Sequence, residues 1–506
     1  MKGSAQAEPE VPEGFATRVR SALAWRWGSQ LVAQFITWGS TIMVVRLLVP
    51  SDYGLFAMSQ VVVVALNFIN GWSFATSLIQ AERVTRREIG QVFALLLLMN
   101  ALLAGAQLLI APTAALYYGE PQVADLLRVQ ALLYLTTPFI ALPQALLSRR
   151  LQFRSQGIAN LAAALAGATC ALALAWSGYG VWALVYAPIL AFATRGVVMT
   201  VAAQLLVWPV FDFRGAGQLI GFGGALTLCQ LFWIIQSQSD IFIAGRHFDI
   251  HDLGLYSEAL FLTLIVTGRF LPPVNEVAFP AYAELHKAGR SLGPYFERTV
   301  RSVLLVTAPI YIGLALTAYE AIYTVFGEKW LEMSPIVAGL ALAMPAMAVQ
   351  IVCSPATNAM GRPGVYLRTS IAGAAIFVTC FLFGVGQGPM GLVHAWWIAA
   401  PLLLTVTLAM TLPHIGLAVA PLLRAAAPAA TGCLAMALVV TGLRAILPDW
   451  HPAAVLVVLS LAGAATYVLS LFWFWRPVVV DSWTMLRQRP AAPLPPEAID
   501  TQPSSV

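Results

Sequence analysis

Long apolar segments alternate with short polar connections along almost the whole chain of 506 residues. A helix needs about 20 mostly apolar residues to cross the hydrocarbon core of a bilayer. The pattern therefore predicts an all-α integral membrane fold with about 14 transmembrane helices. We place these helices at residues 24–48, 55–80, 91–117, 127–147, 156–177, 180–206, 218–244, 254–282, 299–325, 333–358, 368–386, 390–412, 422–445 and 453–476.

The composition agrees with a lipid environment. Hydrophobic residues make up 59% of the chain and charged residues only 10%, whereas soluble domains carry roughly 25% charged residues. Basic residues do not cluster with exposed aromatic residues, so no nucleic-acid partner is expected. The sequence has no HExxH, P-loop or GxSxG motif and no metal-ligand spacing, and we therefore expect neither an enzyme nor a metal site.

Lysines and arginines are distributed unequally between the two sides of the predicted topology. Of the 28, 20 fall in connections on the side of the N-terminus and six fall within spans, which leaves only Arg246 and Lys329 on the other side. An excess of positive charge marks cytoplasmic loops. Both termini are therefore expected in the cytoplasm, with residues 1–20 as an N-terminal tail and residues 487–506 as a disordered tail.

A repeated segment divides the chain into two halves. Residues 46–56 join the first two predicted helices and residues 246–256 join the seventh and eighth, with arginine, aspartate, glycine, leucine and an aromatic residue at matching positions. Parallel repeats of six helices, related by an axis along the membrane normal, explain this recurrence. We therefore predict six-helix bundles at residues 21–210 and 218–412, and two additional helices at residues 422–476.

The repeat also leads to local predictions. Asp52 and Asp252 are expected to cap helices that begin at Gly54 and Gly254. Trp330, like most of the tryptophans near span ends, is expected to anchor the protein at the membrane interface.

Polar side chains within the spans are concentrated on the first, second, seventh and eighth predicted helices, which correspond to one another in the repeat. The candidate site residues are Arg26, Gln30, Gln34, Asn67, Asn70, Gln230, Asp240, Arg269 and Glu276. Polar faces from both halves would enclose one hydrated central cavity. The alternative is that the amides join neighbouring helices, that Arg26 reaches the headgroups, and that Asp240 and Glu258 pair with Arg246.

A series of short motifs resembles a known family. The segment Leu48-Val-Pro50-Ser-Asp52-Tyr53-Gly54 resembles the L-x-P-x-D-[FY]-G signature of the Wzx-type polysaccharide flippases, which belong to the superfamily of the MATE exporters and the lipid II flippases. Glu258 departs from the family pattern, in which a neutral or basic residue is expected. The resemblance covers about residues 20–480 and is closest to the colanic-acid and exopolysaccharide exporters. Further matching segments follow in order at residues 145–154, 178–184, 240–246, 253–257, 279–281, 326–330 and 361–363.

This resemblance implies a MATE-like fold and a transport function. It implies translocation of undecaprenyl-diphosphate-linked oligosaccharide from the cytoplasmic to the periplasmic leaflet of a bacterial inner membrane, by alternating access. No cofactor is implied, although a proton or sodium gradient, or the membrane potential, would drive transport. Expected partners are the lipid-linked oligosaccharide, the bilayer, a polysaccharide polymerase and the chain-length machinery. The alternatives are a MATE-like exporter of small organic cations and a membrane-embedded glycan polymerase, but the long outer loops of a polymerase are missing.

Arg269 is the candidate residue with the most specific prediction. It lies halfway along the predicted span 254–282, about 20 Å from either end, which is too far for its side chain to reach the headgroups. Pro272 and Pro273 are expected to break the helix just beyond it. Irregular backbone beside a midplane charge is typical of transporter sites. We expect Arg269 to engage the diphosphate of the substrate, and the alternative is an ion pair with Glu276.

Overall fold

The computed structural model describes residues 15–67, 75, 78, 84–150, 152–205, 207–212, 217–448 and 450–478. Within these ranges, the side chains of residues 15–24, 26, 27 and 217–230 lie outside the description. The described chain forms α-helices and two short 3-10 helices, and it contains no β-strand. The all-α prediction is confirmed. The α-helices are α1 Phe15–Leu47, α2 Pro50–Asn67, α3 Arg86–Tyr118, α4 Gln122–Gln130, α5 Leu132–Arg149, α6 Phe153–Trp176, α7 Trp182–Ala203, α8 Gly217–His247, α9 Ile250–Lys287, α10 Gly293–Leu316, α11 Ala318–Val325, α12 Ser334–Ile351, α13 Cys353–Ala359, α14 Pro363–Gly384, α15 Gly388–Ile415, α16 Val419–Ile446 and α17 Pro452–Phe474.

Among the described residues, ten helical segments are long and apolar enough to cross a membrane. The protein is therefore a multi-pass integral membrane protein. Three predicted spans each consist of two consecutive helices. The fourth span contains α4 and α5, the ninth contains α10 and α11, and the tenth contains α12 and α13.

Helix α9 corrects the expectation of a break at Pro272 and Pro273. It runs without interruption for 38 residues and includes both prolines. Both rings lie on the exposed side of the helix, as do Gly268 and Arg269, whose carbonyl groups lose their helical partners. At 1.5 Å per residue α9 is about 57 Å long, and it therefore extends beyond a hydrocarbon core of about 30 Å.

The two aspartates of the repeat do not cap their helices in the predicted way. Helix α2 begins at Pro50, a residue suited to the first helical position, and the Asp52 carboxylate accepts from Val49 N at 3.2 Å. Helix α9 is capped by Asp249, which accepts from Asp252 N at 2.7 Å. Both helices thus begin four residues before the motif glycine, and the motif aspartates lie in their first turns.

Trp330 also differs from its predicted role at the membrane interface. Its side chain is 0% exposed, donates from Nε1 to Val45 O at 3.0 Å, and meets the Tyr53 ring edge-on at 5.2 Å between centroids. A large aromatic side chain in this setting is a packing residue that joins α1 and α2 to the second half of the chain.

Packing within each half accounts for most helix–helix contacts. In the first half, α7 packs on α5 and α6, and α6 packs on α1; in the second, α14 packs on α8 and α15, and α10 packs on α12 and α16. Between the halves, α2 packs on both α8 and α9, and α3 touches α8. Gly54 and Gly254 lie where α2 and α9 cross.

Candidate functional site

A cavity of about 540 Å³ lies in the first half of the chain, between α1, α2, α6 and α7. Gln30 and Gln34 line it from α1, four residues apart on one face of the helix, with Thr37 one turn further on. Asn160 of α6 lines the cavity as well. Gln30 and Gln34 are predicted site residues, and both line this cavity. The described residues that line it all belong to the first half, which differs from the predicted central cavity shared by both halves.

The cavity contains a cation that the sequence analysis did not single out. Arg195 lines it from α7, donates from one terminal nitrogen to Gln144 Oε1 at 3.0 Å, and forms no ion pair among the described residues. Its Nε is buried and has no hydrogen-bond partner in the described part of the chain. Arg195 lies near the middle of the predicted span 180–206, so the reasoning applied to Arg269 could have identified it.

Asp240 belongs to a buried hydrogen-bond network in the second half, away from this cavity. Its side chain is 1% exposed and accepts from the Tyr256 hydroxyl at 3.0 Å, and this hydroxyl accepts from Trp396 Nε1 at 2.9 Å. No ion pair joins Asp240 or Glu258 to Arg246 in the described structure, so the alternative of a clamp is not observed. Arg246 instead donates to Tyr117 O at 2.7 Å.

Arg269 and Glu276 lie seven residues apart on the exposed side of α9. Neither residue lines the cavity of the first half. No ion pair joins them to each other or to another described residue, so the alternative of an internal pair is not observed. The guanidinium group of Arg269 is thus accessible at a point about halfway along the helix.

Of the remaining predicted site residues, Asn67 is the one whose side chain is described, and it does not line this cavity. Asn67 is exposed at the last residue of α2. Asn70 lies outside the described residues, as do the side chains of Arg26 and Gln230. One group of possible metal ligands, formed by Asp249 and His251 with the neighbouring Asp252, occurs at the start of α9. Because Asp249 already caps the helix and exposed carboxylates are common without an ion, this group gives no argument for a metal cofactor.

Hydrogen bonds between the two halves are found at one end of the molecule, which we call the closed end: the region where α1 is followed by α2 and α8 is followed by α9. Arg46 donates from Nε to Val325 O at 2.9 Å and from a terminal nitrogen to Thr324 O. Among the described residues, the other side chains that donate across the halves, all at this end, are Tyr117, Arg246, Lys329 and Trp330.

The two repeat arginines make equivalent contacts in opposite directions. Arg46 of the first half binds carbonyl groups at the end of α11, and Arg246 of the second half binds the carbonyl group of Tyr117 at the end of α3. The Arg246 guanidinium also lies 5.9 Å from the centroid of the Tyr117 ring. Cations stabilise the carbonyl-rich C-terminal ends of helices, so each half holds a helix end of the other.

Solved structures of two transporter classes have the same fold. A structure described as lipid II flippase MurJ in the inward closed conformation matches with a TM-score of 0.72, at 12% identity, over 90% of this chain and 99% of the other. An inward-facing MATE multidrug-resistance transporter matches with a TM-score of 0.56, at 14% identity, over 76% and 94% of the two chains. The prediction of a MATE-like fold is thereby confirmed.

Relatives in sequence belong to polysaccharide pathways. The succinoglycan biosynthesis transport protein ExoT of Rhizobium meliloti (strain 1021) is 24% identical over 69% of this chain and 71% of its own. The lipopolysaccharide biosynthesis protein WzxC of Escherichia coli (strain K12) is 20% identical over 71% and 74% of the two chains. A family model described as polysaccharide biosynthesis protein matches residues 43–335, which is more than half of the chain. The resemblance to the polysaccharide flippases is confirmed, and the chain belongs to the polysaccharide biosynthesis protein family.

Proposed function

We propose that the protein is a flippase that moves undecaprenyl-diphosphate-linked oligosaccharide from the cytoplasmic to the periplasmic leaflet of a bacterial inner membrane. The observation that carries this proposal is the closure at one end. The side-chain hydrogen bonds that join described residues of one half to described residues of the other all lie where α1 meets α2 and α8 meets α9. Two halves joined at one end and separable at the other are suited to alternating access.

We assign the closed end to the periplasmic side and both termini to the cytoplasm. The distribution of lysines and arginines supports this orientation, because Arg246 and Lys329 are the only ones predicted in the outer connections. One of the ten apolar segments contains two helices, α14 and α15, so these segments account for 11 spans. Helices α1, α2 and α8 supply the other three. This arrangement supports 14 spans in two six-helix bundles followed by two additional helices.

The accessible guanidinium group of Arg269 is the proposed contact for the diphosphate of the substrate. A planar group with five N–H donors suits phosphate oxygens. The position of Arg269 near the middle of α9 would bring the anion between the halves when they separate at the end opposite the closed end. A proton or sodium gradient is the proposed source of energy, and a polysaccharide polymerase with its chain-length machinery would use the product.

A MATE-like exporter of small organic cations is the second candidate, because this class shares the fold. The cavity of the first half argues against it. Arg195 is the only charged residue among the described residues that line the cavity, and a site for cations would instead present carboxylates. The positive charge favours an anionic substrate.

Deletion of the gene tests the function directly. We expect the polysaccharide to be absent while its lipid-linked repeat unit is still made and is retained in the cytoplasmic leaflet. Lipid extraction followed by mass spectrometry measures this accumulation, and sensitivity to a membrane-impermeant glycosidase in spheroplasts reports the leaflet. Restoration of the intact gene should reverse both effects. Normal polymerisation in a deletion strain without another flippase of this family would exclude the proposal.

A further inference from the structure

Arg195 is a charged residue deep within a predicted membrane span, and it has no acidic partner among the described residues. It lies 13 residues after Trp182 and eight before Ala203 on α7, or about 20 Å and about 12 Å from the two helix ends. A charge at such a depth is energetically costly unless it is compensated. The described structure offers Arg195 a neutral amide oxygen but no carboxylate.

The chemistry of the cavity wall resembles that of a sugar-binding surface. Gln30, Gln34 and Asn160 supply amide donors and acceptors, and Phe192 adds an aromatic ring beside Arg195. Small residues, mainly alanines, form much of the remaining wall and leave space between α1, α6 and α7. Amides that hydrogen-bond hydroxyl groups, together with an apolar ring, suit an uncharged polyol. The guanidinium group of Arg195 favours a ligand that also carries a negative charge.

We infer that this cavity binds a sugar unit carrying a carboxylate, and that Arg195 holds the carboxylate. This inference rests on the proposed function, since the sugar unit would belong to the transported oligosaccharide. Nε is buried and Nη2 donates to Gln144, so Nη1 is the nitrogen left to donate a charge-assisted hydrogen bond to a carboxylate oxygen.

Charge balance favours a carboxylate over a diphosphate at this position. Arg195 contributes one positive charge, and no other charged residue is found among the described residues that line the cavity. One guanidinium group neutralises one carboxylate, whereas a diphosphate would retain excess negative charge at the half-buried Arg195, which is shielded from water in a way that the exposed Arg269 is not. The diphosphate and the acidic sugar would therefore be held at different places.

Binding of matched probes to the purified full-length protein in nanodiscs tests the inference. The probes are a tetrasaccharide of alternating glucuronate and N-acetylglucosamine, the same tetrasaccharide after reduction of its carboxyl groups, and inorganic pyrophosphate. Because a hydrogen bond to a charged group is stronger than one between neutral groups, we expect the acidic probe to bind at least about tenfold more tightly than the reduced probe. Isothermal titration calorimetry measures both affinities.

Variants then assign the preference to Arg195. Arg195→Gln should remove the difference between the acidic and reduced probes, and Arg195→Lys should retain part of it. Arg128→Gln serves as the matched control, because Arg128 is exposed on α4 and pairs with Asp125 outside the cavity. Gln144→Ala removes the neighbour of the guanidinium group but keeps its charge, so the preference should remain. Equal loss of preference in Arg195→Gln and Gln144→Ala would indicate a purely structural role and overturn the inference.

A second pair of variants keeps the test decisive if Arg195→Gln does not fold. Phe192→Glu places a carboxylate three residues before Arg195 on the same helix, where it should occupy the guanidinium group and abolish the preference. Phe192→Gln has the same size without the charge and should preserve the preference. An unchanged preference in Phe192→Glu, or Arg195-dependent binding of pyrophosphate but not of the acidic tetrasaccharide, would overturn the inference.

This experiment can fail independently of the proposed function. If the deletion strain accumulates its lipid-linked repeat unit but none of the probes binds in an Arg195-dependent way, only the inferred sugar site is wrong. If the probes bind as expected but the deletion strain polymerises normally, the proposed function fails while the site remains.

Discussion

Gly54 on α2 and Gly254 on α9 face each other at a crossing where neither position has room for a side chain. A Cβ at Gly54 would overlap the carbonyl oxygen of Ile250, and a Cβ at Gly254 would overlap that of Pro50. Each carbonyl belongs to the residue four positions before the opposite glycine. The contact is therefore reciprocal, as expected for two repeats related by a two-fold axis, and it lets the two backbones approach closely.

Replacement of either glycine should destabilise the closed end. Gly254→Ala forces α2 and α9 apart, and overpacking of this kind costs about 1–3 kcal/mol. We expect the population of the closed state to fall and the transport rate to decrease in a correctly inserted protein. Spin labels at the exposed Asp125 and Glu328, one in each half, would report a longer distance by double electron–electron resonance.

The same helix offers a matched control for this substitution. No atom lies within 4 Å of the position that a Cβ of Gly268 would take. Gly268→Ala should therefore leave both the distance and transport unchanged. Equal effects of the two substitutions would show that the loss of helix flexibility, and not the crossing, causes the defect.

Arg246 should contribute to the stability of the closed end through its contacts with Tyr117. Arg246→Gln removes the charged donor to the Tyr117 carbonyl and the cation above its ring, for a loss of about 1 kcal/mol. The distance between labels should lengthen in a larger fraction of molecules, and Arg46→Gln should act in the same direction. Arg128→Gln, which replaces an exposed arginine of α4 that takes no part in this contact, is the control. A closed population unaffected by both substitutions would contradict this role.

Substitutions of Arg269 and Glu276 separate substrate binding from ion pairing. Because Arg269 has no acidic partner among the described residues, we expect Arg269→Gln to abolish transport in a stably inserted protein. Arg269→Lys keeps the charge and should retain part of the activity, while Glu276→Gln should have a mild effect. Accumulation of the lipid-linked repeat unit measures each variant. Recovery of transport in the double neutral variant would instead assign Arg269 to a structural pair.

Labelling of single cysteines tests the orientation of the closed end. In a cysteine-free background, His247→Cys should react in whole cells with a membrane-impermeant maleimide, because we place the α8–α9 connection in the periplasm. Lys287→Cys, at the far end of α9, should react only after the cells are opened. Reaction of His247→Cys only after opening would exclude the proposed topology.

The sequence by itself determined the class of the protein, its family and the approximate position of nearly every helix. Hydropathy is a local property, and the energetic cost of placing backbone and charge in lipid makes it decisive for membrane helices. Local signals were less reliable at helix starts and prolines. The helix that contains Asp252 begins at Ile250, and the chain remains helical through Pro272.

Only the tertiary structure decided which polar residues meet. Gln30 shares a cavity with Arg195, which is 165 positions away in the sequence, whereas Asp240 is buried against Tyr256 and Arg269 remains exposed on α9. The reason is geometric: periodicity shows which residues share one face of a helix, but the neighbour of that face depends on the rotation and packing of all the other helices. The reciprocal contacts of Arg46 and Arg246 are long-range for the same reason.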